Sequence, residues 1–160
     1  ADEIASIAPW RFRALLSPDI AAAREGRSVD FEGLVAFSRA AVAGNNGMLF
    51  IEGVGGIMVP LDARRTVLDW MAALNIPLLL VVGGYLGATS HTLTAIDVLT
   101  QRNLKIAAIV VSEREGDTVE LGDTVASMAR FARGIEVVGL PRLPGGINQH
   151  PAFAQIAALL

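Results

Sequence analysis

The sequence predicts an α/β fold built on a doubly wound, mostly parallel sheet, and three observations predict it. Short apolar runs of β-forming residues recur about thirty residues apart, at Met48–Ile51, Leu78–Val82, Ile106–Val111 and Ile135–Val138. Helical patterns lie between them, at Thr66–Leu74, Ser90–Arg102 and Thr118–Arg133. The apolar content of the runs is continuous rather than alternating, as in strands covered on both faces. Parallel strands separated by single helices form a sheet with helices on either side.

The elements are read in chain order. Trp10–Leu16 has no evident partner strand. Ser17-Pro18-Asp19 starts a helix, with Ser as N-cap, Pro at the first helical position and Asp near the positive end of the helix dipole. That helix ends near Glu25-Gly26. Asp30 caps a second helix running to Ala43, and Gly44-Asn45-Asn46-Gly47 turns into the first strand. The strand–helix alternation follows, and a last helix covers Pro151–Leu160. The thirty-residue period is an alternation of element type, not a solenoid repeat, because the units share no residue signature. No linker or low-complexity segment appears, so residues 1–160 read as a single α/β domain. Its amino-terminal region reads as the end of something that began earlier.

Composition narrows the function. The chain has 160 residues, net charge −3, 52% apolar and 18% charged residues. Soluble domains average ~45–50% apolar with glycine included and ~25% charged, so this chain is apolar for its size. Its mild acidity argues against a nucleic-acid partner, which needs clustered Lys and Arg. There is no Cys and only two histidines, His91 and His150, which excludes disulfides, thiolates and His-rich metal sites. Trp70–Ser90 carries no charge, but Asn75-Ile76-Pro77, Gly83-Gly84 and Gly87 divide it into short elements. A spanning helix needs ~20 apolar residues in one element. The start, Ala1-Asp2-Glu3, lacks the features of a signal peptide. The expectation is a soluble, cytoplasmic protein with no membrane partner. The first residue is not Met, which leaves processing, a tag or an incomplete chain open.

In open parallel sheets, ligands bind outside the carboxyl ends of the strands. The candidate loops are Glu52–Gly56, Gly83–His91, Ser112–Gly116 and Gly139–Gly146. Glu52 places a carboxylate at the sheet edge beside glycine backbone. Mg²⁺ is held by one or two carboxylates with water and phosphate oxygens, and glycines let an anion approach the N–H groups. The alternative is that Glu52 caps a helix or pairs with an arginine. Thr89 or Ser90 reads as the N-cap of the next helix, whose N-terminus also suits a carboxylate or phosphate. His91 falls in the first helical turn, as a structural polar contact or a ligand contact. His150 reads as a solvent-exposed residue before the last helix. Lys105, the only lysine, lies at the amino edge of the sheet, away from the loops. No phosphate-cradling loop of the G-x-x-x-x-G-K-[ST] kind is present.

The run Phe50-Ile51-Glu52-Gly53-Val54-Gly55-Gly56-Ile57-Met58-Val59-Pro60-Leu61 resembles the E-G-A-G-G-x-x-x-P-L signature of dethiobiotin synthases. Pro77–Gly83 and Leu86-Gly87-Ala88-Thr89-Ser90-His91 are similar to that family's P-[VL]-[IL]-L-V-V-G and L-G-x-[IT]-[NS]-H motifs. Ser17-Pro18 with Glu25-Gly26-Arg27 resembles its S-P-H…E-G-R segment, and Gly139-Leu140-Pro141-Arg142-Leu143 its G-x-[IL]-P-x-L loop. The resemblance covers essentially the whole chain.

It implies a three-layer architecture like that of phosphate-loop NTPases, and closure of the ureido ring of dethiobiotin from diaminopelargonate, CO₂ and ATP with Mg²⁺. The substrate amine becomes a carbamate, ATP phosphorylates it, and the second amine displaces phosphate. Glu52 would be a Mg²⁺ ligand. Gly53, Val54 and Gly55 would line the nucleotide and carbamate pocket. Gly55, Gly87, Ala88 and Ser90 would bind substrate, the helix start meeting its carboxylate across a homodimer interface. Ser112, Glu113, Pro141, Arg142 and Leu143 would surround adenine.

Two departures follow. Ser112 stands where the family commonly has Asn, and a hydroxyl cannot pair with two adenine edge groups as an amide does. The family's amino-terminal strand, phosphate loop and catalytic lysine have no counterpart here, so no catalytic residue is assigned. The expectation is a synthase truncated at its amino end that does not turn over alone. The alternative is a synthase-like regulatory or dimerisation domain that binds nucleotide or ligand without catalysis. A different phosphate-loop ATPase, such as a cobyrinate amidase or partitioning ATPase relative, fits the combined motifs poorly.

Overall fold

The computed structural model describes residues 2–85, 87–145 and 149–160, with the side chains of Asp2 and Glu3 left aside. Ala1, Leu86 of the Leu86–His91 motif and Gly146 at the end of the fourth candidate loop lie outside the described residues. The chain divides into two compact units, Ala1–Leu74 and Asn75–Leu160.

The first unit is helical: α1 (Asp2–Ile7), α2 (Pro18–Arg24), α3 (Phe31–Gly44) and α4 (Val67–Leu74). Asp30 caps α3 as expected, its carboxylate accepting from Gly33 N–H at 3.0 Å. Ser17 occupies the N-cap of α2, but its side chain makes no cap hydrogen bond; Pro18 and Asp19 define that start. Phe31 and Val35 of α3 bury against Leu61, Val67 and Trp70, with Ile51 and Val59 packed alongside. Trp70 Nε1 donates to Ser38 Oγ at 3.2 Å, and that hydroxyl donates to Leu34 O at 2.8 Å. Each polar group in this core therefore has a partner, which burial demands.

The segment before α2, left without a partner by the sequence, is held by the E-G-R residues. Glu25 accepts from Arg13 N–H at 2.7 Å, Arg27 donates to Arg11 O at 3.2 Å, and the Arg27 guanidinium lies 4.8 Å from the Phe12 ring centre. Gly26 joins them at φ +65°, a conformation that favours glycine.

Met48–Ile51, expected to be the first strand, is not a strand. Among the described residues it pairs with no other segment, and Phe50 is 61% exposed; only Ile51 packs on the core of its unit. Parallel strands take all their backbone hydrogen bonds from neighbours, so β-forming composition without a partner is not enough.

The second unit has the predicted fold. Its elements are β1 (Leu78–Gly83), α5 (Ala88–Gln101), β2 (Ile106–Ser112), α6 (Leu121–Phe131), β3 (Val137–Leu140) and α7 (Pro151–Ala157). The strands form a parallel sheet in the order β1-β2-β3. Val110 and Val138 bury on one face against Ala152 and Ile156 of α7. Ile109 buries on the other against Ile96 of α5 and Ala132, next to the end of α6. Alternate residues of a strand point to opposite faces, so a central strand covered twice is apolar throughout.

Several details differ from expectation: α6 spans Leu121–Phe131 rather than Thr118–Arg133, and α7 ends at Ala157 rather than Leu160. The strand expected at Ile135 starts at Val137, because Ile135 N–H is spent on Ala132 O, closing the turn after α6. Helix α5 starts at Ala88 with Gly87 as N-cap at φ +90°, not with Thr89 or Ser90. The left-handed glycine turns the chain into the helix two residues before Thr89 and three before Ser90. His150 is half-buried rather than exposed, since its Nδ1 accepts from Ala152 N–H at 3.2 Å and caps α7.

Candidate active site

In the second unit the register sets the site. Gly83 of β1, Ser112 of β2 and Leu140 of β3 are aligned, Gly83 opposite Ser112 and Ser112 opposite Leu140. The three strands therefore end on one line, and their following loops emerge side by side at the carboxyl edge.

Those loops bind one another. Glu113 N–H donates to Leu140 O at 2.9 Å, and the Glu113 carboxylate accepts from Arg142 N–H at 2.9 Å. The Arg142 guanidinium pairs with Glu115 at 2.8 Å. Of the residues expected around adenine, Glu113 and Arg142 are thus in direct contact. Ser112, Pro141 and Leu143 flank them, each half-buried.

A cavity of about 410 Å³ opens between the loop after β1 and the start of α6. Gly87 and Ser90 line it as expected, with Thr89 beside them. Ala88 does not: it is 2% exposed, its N–H is given to Tyr85 O and its carbonyl accepts from Thr92 Oγ1. The opposite wall, Thr118, Val119, Asp123, Thr124 and Ser127, was missed in the sequence. The available signal was the hydroxyl-rich stretch around Asp117-Thr118 and Asp123-Thr124, downstream of a strand.

His91 is exposed in the first turn of α5, and its Nδ1 lies 3.4 Å from the Tyr85 hydroxyl. That contact matches the structural alternative for His91. Lys105 is exposed at the amino end of β2, its carbonyl accepting from Leu78 N–H.

In the first unit, Glu52, Gly53, Val54 and Gly55 form one loop against the start of α4. Ile57 O and Val59 O accept from Leu68 N–H (2.7 Å) and Val67 N–H (3.0 Å), satisfying amides that a helix start leaves open. A Cβ on Gly53 would lie 2.9 Å from the Val67 side chain, and Gly55 sits at φ +67°. A side chain at Gly53 would force Val67 to shift, and Gly55 holds a conformation that favours glycine. Glu52 itself is exposed and, among the described residues, neither caps a helix nor pairs with an arginine. No group of three or more His, Asp or Glu side chains suited to a metal occurs among the described residues, so Glu52 stands as a single carboxylate.

Two carboxylates titrate below their ordinary range. Asp117 is held low chiefly by the Arg114 backbone N–H and further by its guanidinium and the Gly84 N–H; partial burial opposes this. Glu25 is held low first by Arg13 N–H and then by Arg27, again against some desolvation.

A parallel α/β unit with its polar loops at the carboxyl edge defines a class, and the profile of the AAA domain family matches residues 1–149. The chain is 50% identical over 129 residues to the ATP-dependent dethiobiotin synthetase BioD of Acidiphilium cryptum, covering 81% of this chain and 58% of that one. It is 46% identical over 157 residues to the protein of the same name from Methylobacterium nodulans, covering 94% and 69%. For the Anaeromyxobacter dehalogenans protein, again of that name, the identity is 35% over 159 residues, covering 98% and 70%. The chain belongs to the family of the ATP-dependent dethiobiotin synthetases. It spans about 58% to 70% of the length of these relatives. No described helix is long and apolar enough to cross a membrane.

Proposed function

We propose that this chain is part of a dethiobiotin synthetase, a ligase of biotin synthesis that closes the ureido ring of dethiobiotin from diaminopelargonate, CO₂ and ATP. The observation that carries the reading is the glycine loop after Ile51. The residues after it, Ile57 and Val59, tie to the start of α4 through their carbonyls, and Glu52 is exposed and, among the described residues, without a protein partner. The name shared by relatives up to 50% identical supports the same reading.

A lone exposed carboxylate fits Mg²⁺, which keeps several waters and takes one or two carboxylates with substrate phosphates. Glu52 would hold it, and the ion when bound offsets charge on the transferred phosphoryl group. Gly53, Val54 and Gly55 offer backbone to the nucleotide and carbamate, with Gly55 also facing the diamino acid. Gly87 and Ser90 bind the substrate carboxylate through the start of α5, with Ala88 buried beneath them as their anchor. Ser112, Glu113, Pro141, Arg142 and Leu143 hold adenine, the Glu113–Arg142 contact setting the loop. The protein acts as a cytoplasmic homodimer.

The test is dethiobiotin formation by the full-length gene product from diaminopelargonate, bicarbonate and MgATP, read by mass spectrometry. Product that requires all three supports the reading. Nucleotide binding without product, in the presence of saturating substrates, would replace the enzyme with a binding module.

A further inference from the structure

The two walls of the 410 Å³ cavity are joined by residues that do not line it. Asp117, in the loop after β2, has a side chain only 5% exposed. Its Oδ2 accepts from Arg114 N–H at 2.9 Å, its Oδ1 meets the Arg114 guanidinium at 3.3 Å, and the carboxylate packs closely against Gly84 in the loop after β1. The Arg114 guanidinium in turn lies over the Tyr85 ring, 4.6 Å from its centre. Tyr85 reaches His91 on α5 through its hydroxyl and Ala88 through its carbonyl. The packing leaves no slack. A Cβ on Gly84 would stand 2.7 Å from Asp117 Oδ2, and one on Gly83 would stand 3.1 Å from the Tyr85 ring and 3.2 Å from Arg114 Nε.

We propose that Asp117 is a positioning residue for this cavity: through Gly84 and Arg114 it sets where Tyr85 and the turn into α5 stand. Asp117 touches no ligand; it holds the loop that does. A buried carboxylate accepting several N–H groups fixes geometry more firmly than an exposed ion pair. Arg114 is suited to its part because a planar guanidinium can pair with a carboxylate and stack on a ring at once, which an ammonium cannot. The identity of the molecule bound, diaminopelargonate, rests on the reading above; the role of Asp117 does not.

Tyr85 is the only tyrosine among these 160 residues, and Tyr85→Phe identifies its ring signals in ¹³C-tyrosine-labelled protein. In the full-length protein, Asp117→Asn and Arg114→Gln should each move the Tyr85 ring signals. Each should raise KM for diaminopelargonate about fivefold or more, with kcat and KM for ATP held within about twofold, the pattern of a lost substrate-binding geometry. Arg114→Lys keeps the charge but not the stack and should fall between wild type and Arg114→Gln. Arg133→Gln, which breaks the surface pair with Asp97, should change neither readout. Unmoved Tyr85 signals in both variants, or an unchanged KM despite moved signals, would overturn the proposal. So would an equal loss of kcat and ATP affinity, which marks general loosening. Arg114 is exposed, so Arg114→Gln carries the test if Asp117→Asn fails to fold. If the unaltered protein forms no dethiobiotin, the functional reading fails, and the Tyr85 signals alone decide the role of Asp117.

Discussion

Glu52 and Ser112 are the residues on which the proposed chemistry turns. Glu52 is exposed and, among the described residues, makes no hydrogen bond or ion pair that its neutral amide would lose, so Glu52→Gln should leave the unfolding midpoint unchanged. The loss of charge should weaken Mg²⁺-dependent turnover by about tenfold or more, the scale seen when groups around a bound metal are altered. A Mg²⁺ titration of turnover checks both halves. Ser112 presents a hydroxyl at the end of β2, beside Glu113 and opposite Leu140. Ser112→Asn restores an amide that can meet two base-edge groups together. The ratio of kcat/KM for ATP over GTP should rise; a flat ratio would remove Ser112 from the base pocket. Glu52 stands out in the sequence as a glycine-flanked carboxylate after an apolar run, whereas Ser112 is singled out by the family resemblance. Asp117 was not legible, since its packing against Gly84, which joins two loops, is not a property of neighbouring residues.

At the level of elements, helix ends and strand ends behave differently. Helix α3 begins where its sequence places it, because an N-cap needs only a side chain three residues from an open N–H. Asp30→Ala should therefore cost about 1 kcal/mol of stability, measured by urea unfolding. Strand β2 is set by its neighbours instead. Ile109 is fully buried between β1 and β3 and against α5, so Ile109→Ala should cost about 2–5 kcal/mol through lost contacts and a cavity. Met48–Ile51 has a strand's composition and no strand's partners. Helix α5 shows the converse at its start: the hydroxyls of Thr89 and Ser90 look like caps, yet Gly87 at φ +90° begins the helix before them.

For the molecule as a whole, the apolar content of 52% divides into two parts. One is the doubly covered sheet, where Ala108–Val111 are all buried. The other is exposed on the first unit, at Met48, Leu49, Phe50, Val54 and Met58. The pH response follows from the two lowered carboxylates. Each favours the folded state fully above its ordinary pKa, 4.5 for Glu25 and 3.8 for Asp117, where the unfolded group is also ionised. That contribution is lost as pH falls through the lower folded value, because the unfolded chain then takes up protons first. Glu25→Gln should therefore be less stable than wild type at pH 7, and the two should converge as the pH falls below 4.5 through the lowered folded value, monitored by thermal unfolding.

The order of elements from α5 onward, the glycine-flanked carboxylate and family membership could be read from the chain alone, because periodicity, caps and short motifs are properties of neighbouring residues. The folded structure decided the rest. Among the described residues it left Met48–Ile51 unpaired, brought Gly83, Ser112 and Leu140 onto one line, and joined Asp117 to Gly84 and Arg114 behind the cavity. These outcomes depend on which distant backbone and side-chain groups satisfy one another, and no local pattern encodes that.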